Sequence, residues 1–207
     1  MGRRAIFDRR QITDAALRLV ADRGPQSVTV AALAQEVGAP TGSIYHRYRS
    51  REQLLAELWM EVVEGFQNRF VASLAQANDA DDAVATARLM VNWTREHPLE
   101  ARLLLLHRRQ DFVSGEWPVE LAARAAALEP QLGTALRAFA ERAFGRADAE
   151  TMARLRYALL DAPFGALRPY VQSQKRLPSV VDDLVLATAR AVLASSGRVE
   201  GPKASSS

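Results

Sequence analysis

The stretch QITDAALRLVADRGPQSVTVAALAQEVGAPTGSIYHRYRS, residues 11–50, decides the fold, because its apolar residues recur at the helical period between turn signals. Asp8 with Gln11 forms a capping box that predicts the start of a first helix. Gly24-Pro25 predicts the end of that helix, because these residues do not continue a helical backbone. Capping and turn residues thus mark the first helix at both ends.

Two further short helices follow within the same stretch. Thr29 can cap the second helix, and Gly38-Ala39-Pro40 forms a tight turn after it, where glycine tolerates positive φ. The third helix is predicted from about Thr41 to Tyr48. This spacing is that of a helix-turn-helix, although a plain helical hairpin would share it. The residues expected where the two helices meet are small or apolar: Leu33, Ala34, Val37 and Ile44.

The third helix has a composition that a buried helix would not have, because Ile44 is its only aliphatic residue. Its other side chains are small, hydrogen-bonding, aromatic or cationic, and a solvated surface helix is the alternative to a DNA-reading one. Small residues let a backbone approach DNA closely, and the larger ones can contact base edges or phosphates. The residues concerned are Thr41, Gly42, Ser43, Tyr45, His46 and Arg47.

Charge is distributed unevenly along the 207 residues. The whole chain carries a net charge of +3, but residues 1–51 contain nine arginines and four acids, a net of +5, which leaves −2 for the remainder. A basic first quarter on a mildly acidic body is typical of a phosphate-binding head joined to a domain that does not bind nucleic acid. The charge pattern therefore favours double-stranded DNA as a partner.

This N-terminal stretch resembles the signature of TetR-family regulators over about 50 residues and nearly without gaps. That family shows a Gly-Val-Ser-x-Gly-x-(Leu/Ile)-Tyr-x-(His/Tyr)-Phe-x-(Ser/Asn)-Lys pattern, and residues 38–51 here read GAPTGSIYHRYRSR. Tyr48 replaces the usual Phe and could add a hydroxyl contact. Pro40 replaces a common Ser, which removes one cap or phosphate contact. Arg51 replaces the usual Lys at the start of the fourth helix.

The resemblance implies roles for these residues. Thr29 would bind phosphate from the start of the second helix, and Arg51 would meet a phosphate with its charge and the helix dipole. Arg47 would lie beside the DNA backbone. The residues implied to face the groove are Thr41, Ser43, Tyr45 and His46, with Gly42 allowing close approach.

The rest of the chain also reads as helix, so the predicted fold class is all-α, with about nine helices. Residues 1–50 form the predicted DNA-binding domain, 51–194 a helical effector-binding and dimerisation domain, and 195–207 a disordered tail. Residues 109–117 are predicted to be a loop, Pro130 and Gly133 to kink or break the seventh helix, and residues 163–165 to disturb the eighth.

The resemblance further implies a homodimer and a small-molecule effector held in the body of the protein. The resemblance implies that helices eight and nine form the dimer interface, and on helix nine we predict Leu184, Ala187 and Ala191. An aromatic and Met stripe is often ordinary core, but it can also line a pocket for a weakly polar molecule. The predicted pocket residues are Trp59, Phe66, Met90, Trp93, Leu103, His107, Phe112 and Tyr157, with Trp117 and Phe139 as further candidates.

The predicted function is a ligand-responsive repressor that binds a palindromic operator as a dimer. A constitutive DNA-binding dimer without an effector is the first alternative, and a helical enzyme using His46, His97 or His107 with Asp111 or Asp161 is the second. The enzyme has little support, because there is no cysteine, no metal-spaced pair and no phosphate loop. No catalytic residue, metal or cofactor is predicted. The absence of a long apolar run and of a secretory signal predicts a cytoplasmic protein without a membrane partner.

Overall fold

The computed structural model describes residues 8–194, apart from the side chain of Tyr45. This part of the chain is helical and contains no strand, so the predicted all-α class is confirmed. The predicted disordered tail, 195–207, lies outside the described residues. The helices are α1 Arg9–Arg23, α2 Val30–Val37, α3 Thr41–Tyr45, α4 Arg51–Gln76, α5 Ala80–Glu96, α6 Pro98–Leu106, α7 Arg109–Phe112, α8 Val119–Phe144, α9 Ala149–Arg156, α10 Ala162–Ser173 and α11 Val180–Ala194, with a 3₁₀ turn at Pro25–Ser27 and a π-helical turn at Tyr157–Asp161.

The first of two compact units comprises the chain up to Phe66 together with His97–Leu128. Helix α6 packs against α1 in this unit, and α2 packs against both α1 and α3. The core side chains are apolar and almost completely buried: Ile12, Val20, Leu33, Ile44, Leu54, Leu55 and Leu103. Residues 1–50 therefore share a core with residues from α4 and α6. The functional division at residue 50 stays a prediction.

The second unit comprises Gln67–Glu96 and the chain from Glu129 onward. Its main helix pair is α5 against α11, which Arg95 and Asp182 join through a two-pronged ion pair with Nη1 2.8 Å from Oδ1. Arg142 donates hydrogen bonds to the carbonyls of Leu74 and Ala77, at 2.9 and 2.7 Å for Nη2, and so satisfies groups at the C-terminal end of α4. These contacts fix the ends of its helices.

Three sequence predictions in the body are wrong in detail. Residues 109–112 form one helical turn instead of a loop, because the Asp111 carboxylate accepts a 2.7 Å hydrogen bond from the Arg108 N–H. Helix α8 continues through Pro130, so the predicted break does not occur; the carbonyl that loses its donor belongs to Ala126, an exposed residue, where water can supply a donor. The predicted disturbance of the eighth helix lies earlier, in the π-helical turn before Pro163.

Two further findings concern the described residues as a whole. None of the helices between residues 8 and 194 combines the length and apolar character needed to cross a membrane. The same residues contain no group of three or more His, Asp or Glu side chains placed to hold a metal ion.

Candidate nucleic-acid interface

Helix α2 begins with the polar cap that the sequence predicts. The hydroxyl oxygen of Thr29 accepts a 3.1 Å hydrogen bond from the Ala32 N–H, and its side chain is exposed. A hydroxyl accepts and donates at once, so the proton of Thr29 remains able to donate to an anion. The helix dipole adds partial positive charge at the same end. The start of α2 therefore has the chemistry of a phosphate contact.

The turn between α2 and α3 sets the angle at which α3 leaves. Gly38 has φ 67° and ψ 30°, a left-handed conformation that favours glycine. Its N–H donates to the carbonyls of Ala34 and Gln35 at the end of α2. Pro40 then precedes the first residue of α3. The predicted tight turn is confirmed.

Helix α3 lies on the surface and is attached by its inner side. Ile44 is buried at 2% exposure, Leu33 and Ala34 are buried on α2, which packs against α3, and Val37 is half-buried. Tyr48 is buried just beyond the helix, and its hydroxyl lies 3.1 Å from that of Thr13 on α1. Tyr48 stands where the family pattern has Phe, and the contact that its hydroxyl adds is with another residue of the same unit.

The polar side chains of α3 and the residues after it point outward. Thr41, Gly42, His46 and Arg47 are exposed, and Ser43 is half-buried. The side chain of Tyr45, predicted to contact DNA, lies outside the described residues. An exposed row of small, imidazole and guanidinium groups above a buried isoleucine is a surface suited to contact with polar, anionic partners.

Arg51 is at the first position of α4 and is directed into the protein. Its Nε donates to the Val28 carbonyl at 2.6 Å, and its Nη2 donates to the Pro25 carbonyl at 2.7 Å. Nη1 lies 3.9 Å from a carboxylate oxygen of Glu52, and the side chain is 28% exposed. The phosphate contact predicted for Arg51 stays a prediction, but these donors already have backbone acceptors.

Residues 12–58 match the model of the family described as bacterial regulatory proteins, tetR family. This match covers α1–α3 and the first part of α4, the elements that form the surface described above. Residues 12–58 therefore belong to the TetR family of bacterial regulatory proteins.

Curated relatives match part of this chain. The HTH-type transcriptional regulator BetI of Brucella canis (strain ATCC 23365 / NCTC 10854 / RM-666) is 29% identical over 86 residues, which are 42% of this chain and 43% of BetI. The match thus spans less than half the length of these relatives.

Solved structures show a similar fold over most of the chain. The transcriptional regulator FadR from Bacillus subtilis, in complex with stearoyl-CoA, superimposes with a TM-score of 0.67 at 15% identity, covering 93% of this chain and 100% of FadR. The TetR-family regulator PfmR from Thermus thermophilus gives a TM-score of 0.64 at 20% identity, covering 90% of this chain and 98% of PfmR. At these identities the likeness shows the fold alone.

The residues predicted to bind an effector are divided between the two units. In the first unit, Trp59 and His107 are half-buried, whereas Phe66, Leu103 and Phe112 belong to the core. In the second unit, Met90 and Trp93 are buried and Tyr157 is 51% exposed. The predicted Phe139 is fully buried in the second unit.

Two aromatic contacts connect predicted effector residues of the first unit. The ring of His107 meets that of Phe112 edge-to-face, with centroids 6.1 Å apart. Trp59 meets Trp117 at 5.5 Å, and the Arg109 guanidinium lies 4.6 Å from the centre of the Trp117 ring. Half-buried aromatic side chains of this kind offer apolar surface to a ligand. Their assignment to an effector site stays a prediction.

The predicted dimer residues lie on one exposed face of α11. Leu184 is 58% exposed, and Ala187 and Ala191 are exposed beside it. Val180, one turn earlier and 51% exposed, extends the same row, which we call the α11 stripe: Val180, Leu184, Ala187 and Ala191. The opposite side of the helix carries the buried Val181, Val185 and Ala189. An apolar row on the outer face of an already packed helix is unusual for a surface.

Arg102 has a structural role that no sequence pattern predicts. Its Nε donates a 2.5 Å hydrogen bond to the Ala21 carbonyl, and so links α6 to the end of α1. His107 lies near the same end, with Cε1 3.6 Å from where a Cβ on Gly24 would be. No local pattern marks such contacts, because the partners are far apart in the sequence.

His107 should make the stability of the protein depend on pH. Burial lowers the pKa of His107 below its ordinary value of 6.5, and Arg102 adds to this effect while Asp111 opposes it. The unfolded chain therefore takes up a proton at a higher pH than the folded chain does. We expect the free energy of unfolding to fall as the pH drops below about 6.5, through the lowered folded-state pKa.

Urea unfolding at pH 7.5 and 5.5 measures this dependence. His107→Gln keeps a polar side chain of similar reach without a titrating group, so the difference between the two pH values should be smaller in this variant. An equal difference in both proteins would show that His107 is not its source.

Proposed function

We propose that this TetR-family protein is a ligand-responsive repressor that binds a palindromic DNA operator as a homodimer. The observation that carries the proposal is the exposed polar and cationic row of α3, held above the buried Ile44 within residues that match the family. A helix presented in this way fits the major groove, and flanking groups can bind phosphates. A regulator of this kind acts at the chromosome, so we place it in the cytoplasm.

Each exposed residue has a proposed part in DNA binding. Thr29 donates to a phosphate from the start of α2, and Arg47 supplies charge beside the DNA backbone. Gly42 lets α3 approach closely. The residues proposed to read base edges are Thr41, Ser43, Tyr45 and His46. Arg51, the first residue of α4, contributes to DNA binding at the start of α2.

The α11 stripe supports a two-fold dimer. Leu184 and its neighbours would bury apolar surface against the same row of a second copy, which a two-fold axis brings opposite to itself. Tyr157, also exposed in the second unit, is better placed for such an outer contact than for a closed pocket. A symmetric dimer would read two half-sites about 34–36 Å apart or a multiple of that distance.

A small, mostly apolar effector would release the DNA. The half-buried Trp59 and His107 are the predicted residues most available for ligand contact in the first unit. The structurally similar FadR is seen with stearoyl-CoA, a molecule with a long apolar chain. Release requires that the effector bind one conformation more tightly than the other. We propose that this shift moves α4 and so changes the presentation of α3.

Selection of bound duplexes from a random DNA pool tests the proposal. We expect enrichment of one palindrome, because a two-fold dimer presents two identical α3 surfaces. Absence of enrichment, together with no duplex binding at low salt, would refute DNA recognition. Adding candidate apolar ligands to a gel-shift assay on the selected duplex then separates the effector-responsive repressor from a constitutive DNA-binding dimer.

The same selection tests His46 as a base-reading residue. His46→Ala should relax the preference at one or two base pairs in each half-site and leave the rest of the palindrome unchanged, at a cost of about 1–3 kcal/mol for the contacted base. An unaltered selected motif would remove His46 from the reading set.

A further inference from the structure

The connection between α1 and α2 is held by two arginines that come from other helices. Arg51 at the start of α4 donates to the carbonyls of Val28 and Pro25, as described above. Arg102 on α6 donates to the carbonyl of Ala21 at the other end of the connection. Ala21 is in the last turn of α1, four residues before Pro25, which has no N–H to donate, and Val28 lies between the two helices, so neither carbonyl has a helical donor. The Pro25 carbonyl also accepts a 3.2 Å hydrogen bond from the Val28 N–H.

The contact of Arg51 lies next to the proposed phosphate-binding start of α2. Val28 is the residue immediately before Thr29, and Pro25 opens the 3₁₀ turn that leads to it. Nη2 also lies 3.4 Å from the side-chain oxygen of Gln26 in that turn. A fork of donors that binds two carbonyls fixes both the position and the direction of the chain between them.

We propose that Arg51 is a positioning residue, which holds Thr29 and the start of α2 in the geometry needed for phosphate contact and does not itself bind a phosphate. This inference rests on the proposed DNA-binding function and changes the role that the family resemblance implies for this position. A phosphate contact through Nε or Nη2 would require the guanidinium to leave hydrogen bonds of 2.6 and 2.7 Å, and the remaining nitrogen, Nη1, lies 3.9 Å from a carboxylate oxygen of Glu52, whose charge repels an anion. The Val28 carbonyl would then lose its hydrogen bond from Arg51, whereas the Pro25 carbonyl would keep a 3.2 Å hydrogen bond from the Val28 N–H.

The two roles predict different salt dependence. Each cation that neutralises a phosphate contributes about one unit to the slope of log affinity against log salt. A positioning residue contributes nothing to that slope, because the contact it supports, the Thr29 hydroxyl, is uncharged. The two roles also predict different effects of Arg51→Lys. Lysine keeps a positive charge that a phosphate contact could use, but it lacks the guanidinium fork that binds two carbonyls.

The experiment measures affinity for the selected duplex across a salt series with the full-length protein. Arg51→Ala should weaken binding by about tenfold with an unchanged slope. Arg51→Lys should fail to restore the affinity. In addition, Thr29→Val should cost much less in the Arg51→Ala background than in the parent protein, because the two side chains then act through one contact.

Arg47→Ala is the matched control, because Arg47 is exposed and is proposed to bind phosphate directly. It should lower the slope by about one unit per bound α3. Circular dichroism checks that each variant is folded. Should Arg51→Ala not fold, Arg51→Lys carries the test alone, since a phosphate ligand would tolerate it and a positioning fork would not.

The results distinguish a positioning role of Arg51 from a phosphate contact, and both from a failure of the proposed function. A lower slope for Arg51→Ala with recovery by lysine would make Arg51 a phosphate ligand and overturn the proposal, as would unchanged affinity in the alanine variant or additive effects with Thr29→Val. Failure of the parent protein to bind any duplex would instead refute the proposed function itself.

Discussion

Leu184→Glu should convert the protein to a monomer and abolish tight binding to the palindromic duplex. Leu184 is 58% exposed in the centre of the α11 stripe, so its replacement removes apolar surface from the proposed interface without opening a cavity in the core. Burial of a leucine side chain contributes about 1.5–3 kcal/mol, and a two-fold interface contains it twice. The dimer dissociation constant should therefore rise at least about 100-fold.

Sedimentation equilibrium and a gel-shift assay measure the two parts of this result. Val119→Glu is the matched control, because Val119 is an aliphatic residue that is 89% exposed on α8, outside the stripe. This variant should remain a dimer and bind DNA normally. A Leu184→Glu protein that stays dimeric would show that α11 is not the interface, and a monomer that binds the palindrome as tightly as the parent would refute binding by a dimer.

The local features of the DNA-binding head could be read from the sequence because each depends on nearby residues. The Thr29 cap and the left-handed Gly38 are formed as predicted, with Thr29 accepting from the N–H three residues on. Asp148 likewise accepts from the Thr151 N–H at 2.8 Å at the start of α9. Capping and turn chemistry act within a few residues, so a single sequence contains the information.

The errors in the body have a common cause. Pro130 does not break α8. A helix tolerates proline where water can reach the carbonyl that loses its N–H donor, and the residues around that carbonyl are exposed here. The turn α7 is too short for a hydrophobic period to reveal it. Both outcomes depend on tertiary environment, which one sequence without its fold does not contain.

The role of Arg51 shows the same limit at the functional site. Arg51 is the last residue of the family pattern, and this position implied a cation at the DNA surface. Its hydrogen-bond acceptors are instead the carbonyls of Pro25 and Val28, 26 and 23 residues away in the chain. The direction of a long flexible side chain is decided by the acceptors within reach. The exposure of His46 and Arg47, in contrast, followed from the lack of aliphatic residues in α3, because burial of such a helix would leave polar groups unsatisfied.

Gly42→Glu should separate folding from DNA binding at the surface of α3. A Cβ at Gly42 would have no atom within 4 Å, and the backbone there is ordinary helix. Glutamate is a better helix former than glycine by about 0.5–1 kcal/mol, and its charge is favourable in the first turn. The melting temperature should therefore stay the same or rise slightly.

Affinity for the selected duplex should fall at least about 100-fold in the same variant, because a carboxylate placed against phosphates and base edges costs several kcal/mol. Gly65→Glu on α4 is the matched control: this glycine is also exposed, helical and without a neighbour within 4 Å of its Cβ position. It should bind as the parent does. If Gly42→Glu bound the duplex normally, α3 could not be the helix that enters the groove, because a bulky anion would then lie unopposed at the closest approach to DNA.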